Sequence, residues 1–227
     1  MRRYWLVTVL SLAVIASAQD GSVRGTVTVL HRSKKASGNA DVVVSLTALD
    51  AKASPVTPGP KVRLVQKNKQ FMPHLVAIPV GTAIEFPNQD PFFHDVFSIY
   101  HGKPFDLGLY EGGAVRSVRF SQPGVSYIFC NIHPEMSAAV IALTTPYFAT
   151  SALDGTFEIT HVPAGQYKME VWSEFAAEVE REALSRRIEV RPGSNDPVSI
   201  SLHSSDGAHT HVNKYGEPYP QENVSTY

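Results

Sequence analysis

A thiol, an imidazole and a thioether follow one another at three-residue intervals in Tyr127-Ile128-Phe129-Cys130-Asn131-Ile132-His133-Pro134-Glu135-Met136. Soft sulfur combined with imidazole favours copper. Two histidines and one cysteine in a trigonal plane, with a weak and distant methionine, form a copper set suited to electron transfer. The second histidine has to come from elsewhere in the chain. Upstream, Phe86-Pro87-Asn88-Gln89-Asp90-Pro91-Phe92-Phe93-His94-Asp95-Val96-Phe97 places His94 just before a strand-like run. The candidate metal ligands are therefore His94, Cys130, His133 and Met136. A tight turn after a strand lets the last three converge, while His94 enters from a neighbouring loop at the same end of a sheet.

Other readings of these residues stay open on sequence alone. Cys130 is the only cysteine, so an intrachain disulfide is excluded, and a lone thiol in an exported chain points to intermolecular pairing, reactivity or metal ligation. A buried cysteine is also often just a small hydrophobe. Zinc accepts Cys and His, but structural zinc usually takes more thiolates and methionine serves it poorly. Of the remaining histidines, His74 reads as structural or surface, and His101 and His161 sit in or near turns. His209 and His211 belong to a Gly-Ala-His-Thr-His tract that either picks up metal or is simply solvated.

The elements that must position the ligands read as strands. Residues 23–30, 41–49, 61–66, 75–80, 82–86, 96–100, 114–120, 125–130 and 137–143 show β-branched, aromatic or alternating patterns bounded by Gly, Pro and Asn. No helical period is sustained there, so many short strands with regular turn signals predict a β-sandwich. A second region begins near Thr145. Strands at 157–159, 167–172, 187–190 and 197–202 flank one short helix candidate, 173–185, and a polar tail follows from Ser204.

Length and charge narrow the function classes. At 227 residues the chain can bury a substantial core. Twenty basic residues against twenty-one acidic ones give no electrostatic case for nucleic acid or an anionic membrane. Residues 1–18 read as a signal peptide: Arg2 and Arg3, an apolar run over 4–15, then the small-residue site Ala16-Ser17-Ala18. Its removal would change the net charge from −1 to −3 and send the protein to the periplasm or outside the cell. The apolar run is short for a membrane span, although an uncleaved anchor is the competing reading. Asn223-Val224-Ser225 is a glycosylation acceptor in a host that uses one.

Cys-x-x-His-Pro-x-Met after an aromatic-rich strand, with Asn-x-Asp-x-x-x-His upstream, resembles the cupredoxin family. The short ligand loop is most similar to its amicyanin and plastocyanin-type members. The resemblance covers residues 71–143 well and 23–70 loosely. It implies an all-β, Greek-key cupredoxin β-sandwich over 19–144 holding one type 1 (blue) copper. In that frame His94 is the first imidazole, Cys130 the thiolate, His133 the exposed imidazole and Met136 the axial ligand. Phe92, Phe93 and Pro134 become an apolar collar where a redox partner protein docks near His133. Where plastocyanin-like members commonly carry Asn after the first histidine, this chain has Asp95, which alters the hydrogen bonding between the two ligand loops. Asn88 is either a further support of the ligands or a turn former.

Asp154-Gly155-Thr156-Phe157-Glu158-Ile159, followed by Val162-Pro163-Ala164-Gly165-Gln166-Tyr167, is similar to the carboxypeptidase regulatory-like (transthyretin-like) β-sandwich. That resemblance implies a small interaction or stabilising module over 145–203 without peptidase residues, leaving 204–227 as an extended tail. The expected function is an exported one-electron carrier, with copper sequestration or delivery as the alternative. An enzyme is not expected. A multicopper oxidase needs more histidines than the nine present, and neither a Gly-x-Ser-x-Gly elbow nor a His-Glu-x-x-His motif occurs. A sugar-binding sandwich also fits poorly, because Trp5 departs with the signal and leaves one tryptophan.

Overall fold

The computed structural model describes residues 20–31, 39–50, 55–99, 102–204 and 211–219. The signal peptide, His101, His209 and the glycosylation acceptor lie outside the described residues. In chain order the first elements are β1 (Gly21–His31), β2 (Val43–Ala48), β3 (Val62–Arg63), β4 (Val65–Lys67), β5 (Gln70–Met72) and β6 (Leu75–Pro79). Next come β7 (Ala83–Pro87), β8 (His94–Ser98), β9 (Phe105–Tyr110), β10 (Val115–Arg119), β11 (Gly124–Cys130) and β12 (Ser137–Leu143). The chain closes with β13 (Phe148–Thr150), β14 (Thr156–Val162), β15 (Gly165–Trp172), α1 (Glu178–Leu184), β16 (Arg186–Val190), β17 (Gly193–Ser194) and β18 (Val198–Ser204). The all-β expectation holds, and the one helix among the described residues falls within 173–185.

A five-stranded sheet in the order β6-β12-β11-β8-β9 faces a three-stranded sheet β10-β7-β3. Side chains alternate across each strand, and the inward set forms one apolar layer that includes Ile84, Phe86, Val96, Phe120, Ile128 and Val140. On β7 the residue between the inward pair, Glu85, turns outward to Lys61 and Arg63. β12 reads as an unbroken apolar run because both its faces are covered. Ala138, Val140 and Ala142 fill the first core, while Ala139 and Ile141 meet Val43 and Leu75 in a seam against the second sandwich.

The strand pairing corrects the expected boundaries. β1 pairs antiparallel with β14 and parallel with β18, and β2 pairs antiparallel with β13 and β15. Residues 21–48 thus complete the second sandwich instead of opening a domain over 19–144, and the first sandwich is inserted between β2 and β13. The alternation of 23–30 shows one buried face but not which distant strand it joins; Val27 pairs with Ile200. The second core gathers Val23, Val27, Leu46, Phe157, Met169 and Leu202. Among the described residues no helix is long and apolar enough to cross a membrane.

Candidate metal centre

Strand pairing brings the first two candidates together. Cys130 is the last residue of β11 and pairs with Val96 of β8. With a two-residue side-chain period, Cys130, Ile128, Val96 and His94 face the same interior. His94 is the first residue of β8, a strand expected only from Val96 onward, and its side chain is fully buried. The chain then turns: the Met136 N–H donates to the His133 carbonyl at 3.0 Å, which folds His133 back over Cys130.

Three donor atoms converge as a result. His94 Nδ1 lies 3.6 Å from Cys130 Sγ, His133 Nδ1 lies 3.5 Å from it, and the two Nδ1 atoms are 3.1 Å apart. Among the described residues this is the one His/Cys/carboxylate cluster whose donor atoms lie close enough to share an ion. An atom equidistant from all three would sit about 2.0 Å from each. That matches ~2.0–2.1 Å metal–imidazole bonds and falls slightly inside a ~2.3 Å metal–thiolate bond. The triangle fits a metal ion bound in an N₂S plane. Met136 is fully buried in the same apolar cluster as Cys130.

Each donor is set up electronically by its surroundings. His94 Nε2 meets Asp90 Oδ2 at 2.9 Å, and a carboxylate behind a ligating imidazole fixes which nitrogen carries the proton. With Nε2–H donated to Asp90, Nδ1 presents its lone pair to the centre. Asp90 is itself pinned, accepting the backbone N–H groups of Asn68 and Lys69 at 2.6 and 3.1 Å. Burial alone would raise its carboxyl, but these donors and His94 hold it below the ordinary range. Burial, then the neighbouring His94 and Lys69, pushes the His133 imidazole below its usual value, which keeps it neutral and able to ligate. Burial pushes the Cys130 thiol up, although the backbone N–H groups of Asp95, Ile132 and His133 point at its sulfur.

The supporting loop explains several residues. Asn88 is a turn former: its Oδ1 accepts the Asp90 N–H at 2.9 Å and its Nδ2 donates to the Phe92 carbonyl at 2.7 Å. Gly112 presses against this loop so closely that a Cβ would stand 2.2 Å from the Asp90 carbonyl oxygen. Asp95 ties the two ligand loops, accepting from Asn131 Nδ2 at 3.1 Å while its carbonyl accepts the Asn131 N–H at 2.8 Å. Phe92 packs edge-on against both imidazoles, with ring centroids 5.4 Å from His94 and 5.5 Å from His133. Phe93 points further into solvent, at 49% exposure.

Two contributors went unassigned in the sequence. Asp90 stands in the Asn-x-Asp-x-x-x-His spacing, and its four-residue offset from His94 was the available signal. The other is the tail. Residues 211–219 lie against the ligand loop, and His211, offered as a metal-binding or solvated residue, instead meets the Pro134 carbonyl through Nε2 at 2.8 Å. His74 pairs with Glu174, and His161, expected in or near a turn, lies exposed within β14 beside Thr160.

No protein-family profile and no curated protein matches this chain. Solved structures do resemble part of it. A copper-containing nitrite reductase from Thermus scotoductus SA-01 is 28% identical, with a TM-score of 0.35, over 43% of this chain and 25% of that one, so the match spans a quarter of that enzyme's length. A purple cupredoxin from Nitrosopumilus maritimus is 24% identical at TM-score 0.33, covering 37% of this chain and all of the other. Amicyanin from Paracoccus versutus is 20% identical at TM-score 0.34, covering 44% of this chain and 98% of its own.

Proposed function

We propose that this chain is an exported one-electron carrier, not an enzyme, built around a single type 1 copper ion. His94, Cys130 and His133 would hold the ion in plane, with Met136 as the axial thioether. The observation that carries this reading is the triangle of two imidazole nitrogens and one thiol sulfur, 3.1–3.6 Å on its edges. Copper in such a set supplies one reversible electron. The chain's part is to keep the donors where they are. Asp90 orients one ring, the turn at Met136 fixes the other, and the buried β8–β11 pair limits rearrangement between oxidation states.

His133 is half-buried while its surroundings reach the surface. Phe92 and Ile132, 36% and 44% exposed, together with Pro134, make an apolar rim beside that imidazole. A redox partner protein would dock there, where the path to the ion is short. The second sandwich, similar to carboxypeptidase regulatory-like modules in its Asp154–Tyr167 stretch, serves as a stabilising platform through the Val43–Leu75–Ile141 seam.

Addition of one equivalent of Cu(II) to the metal-free protein tests the reading. The intact chain should develop an intense thiolate-to-copper charge-transfer colour and a narrow EPR hyperfine splitting, and Cys130→Ser should develop neither. A pale wild-type product with ordinary tetragonal splitting would rule out a type 1 centre.

A further inference from the structure

Phe97 and Phe129 sit opposite one another on the face of the five-stranded sheet that turns away from the first core, since their neighbours Val96, Ile128 and Cys130 face inward. Both are nevertheless buried. His211 stacks on Phe129 with centroids 3.9 Å apart and planes 19° from parallel. From there the tail makes a series of hydrogen bonds to the ligand loop itself. His211 donates to the Pro134 carbonyl, the Lys214 N–H donates to Asn131 Oδ1 at 3.0 Å, and the Tyr219 hydroxyl donates to the Cys130 carbonyl at 3.0 Å. Lys214 Nζ also reaches Asp95 Oδ2 at 2.9 Å and Asp106 Oδ2 at 3.1 Å, with the lysine side chain 14% exposed and that of Asp95 7%.

We propose that the segment 211–219 is a working part of the centre: a clamp that holds the Cys130–Pro134 loop against β8 and supplies the counter-charge for Asp95. The proposal rests on the reading that Cys130 and His133 bind metal. Its chemistry follows from the contacts. Asp95 is buried, ties the two ligand loops through Asn131, and brings a negative charge beside the centre. A buried charge needs a partner, and Lys214 is that partner. His211, Lys214 and Tyr219 are positioning residues. They touch the backbone of the loop and the groups that brace it, not the reacting atoms. No residue of the segment belongs to the hydrophobic clusters of the described residues, and besides the loop it touches Phe129 of β11 and Asp106 of β9.

The test uses the full chain, with Lys214→Met, Lys214→Arg, Tyr219→Phe and the double variant Asp95→Asn/Lys214→Met. Disturbing groups that orient metal ligands typically weakens binding about 10–100-fold. Lys214→Met should lower Cu(II) affinity, measured by chelator competition, within that range and broaden the EPR hyperfine pattern. Lys214→Arg should restore both, and so should the double variant, because Asp95→Asn removes the charge that lost its partner. Tyr219→Phe should give a smaller change of the same sign. In the metal-free protein, Lys214→Met should speed alkylation of Cys130 by iodoacetamide several-fold. Wild-type affinity, spectrum and alkylation rate in Lys214→Met would overturn the clamp, as would failure of the double variant to rescue. If the wild-type chain yields no charge-transfer band, the copper reading itself has failed, and the alkylation rates alone then decide whether the segment clamps the loop.

Discussion

The two imidazoles of the centre are held by opposite means. His94 is pinned from within its own sandwich: fully buried, its outer nitrogen on Asp90, and Asp90 in turn on the backbone of Asn68 and Lys69. His133 is half-buried and positioned through its backbone, by the turn that closes on Met136 and by a tail arriving from some eighty residues downstream, as in the Lys214–Asn131 bond. One side of the centre is therefore part of the core. The other is a surface loop held by added bonds. On the proposed reading, the buried imidazole would define the site before metal arrives, while the half-buried one would stay near the surface where an electron could leave.

The largest expected effect separates the two directly. His94→Gly leaves a cavity and strands the Asp90 carboxylate, and should destabilise the metal-free protein by about 2–5 kcal/mol. His133→Gly, at a half-buried position, should cost only about 1 kcal/mol, as typical single substitutions do. Urea denaturation of both variants checks this, and equal losses would erase the distinction between core and surface ligand. Added imidazole should refill the gap in copper-loaded His133→Gly and restore its colour, but not in His94→Gly.

Next in size is Asp90→Asn, which leaves the loop's shape but removes the charge that orients His94. It should cost about 1–3 kcal/mol of stability in denaturation and about 10–100-fold in Cu(II) affinity by chelator competition. No loss of affinity would mean that the His94 ring is set by packing alone. A smaller, more specific change tests Met136 as the proposed fourth donor. Met136→Gln should keep copper yet lower the reduction potential in voltammetry, since a stronger axial oxygen favours Cu(II). An unchanged potential would remove Met136 from the axial position.

The smallest effect lies at the seam between the sandwiches. The hydrogen bond to Glu174 raises the His74 imidazole above its usual 6.5, against the opposing effect of burial. The folded state thus favours the protonated ring. Its contribution is complete below about pH 6.5 and fades as pH rises through the raised value. Melting temperature should fall slightly over that rise, and Glu174→Gln should flatten the dependence. The His74 side chain is 39% exposed, so solvent keeps the effect small.

Much of the centre was legible in the chain because its parts are local. Cys130 and His133 lie three residues apart, and His94 opens the strand that pairs with β11. The alternation in 82–86 and 125–130 marked strands for the same reason. What stayed hidden depends on partners far away in sequence. The apolar alternation of 23–30 is the same whichever sheet receives it, so its union with β18 and the inserted position of the first sandwich left no local trace. Phe129 stood only as part of an aromatic-rich strand; that it faces away from the first core and is covered by His211 depends on a tail far off in sequence. Lys214 carried no signal at all until Asp95 and Asp106 were found beside it.

Copper K-edge X-ray absorption on the singly loaded full-length protein tests the central claim most directly. The account predicts one short sulfur scatterer together with two imidazoles, and loss of the sulfur in Cys130→Ser. A coordination shell of nitrogen and oxygen alone, identical in the wild type and Cys130→Ser, would contradict it.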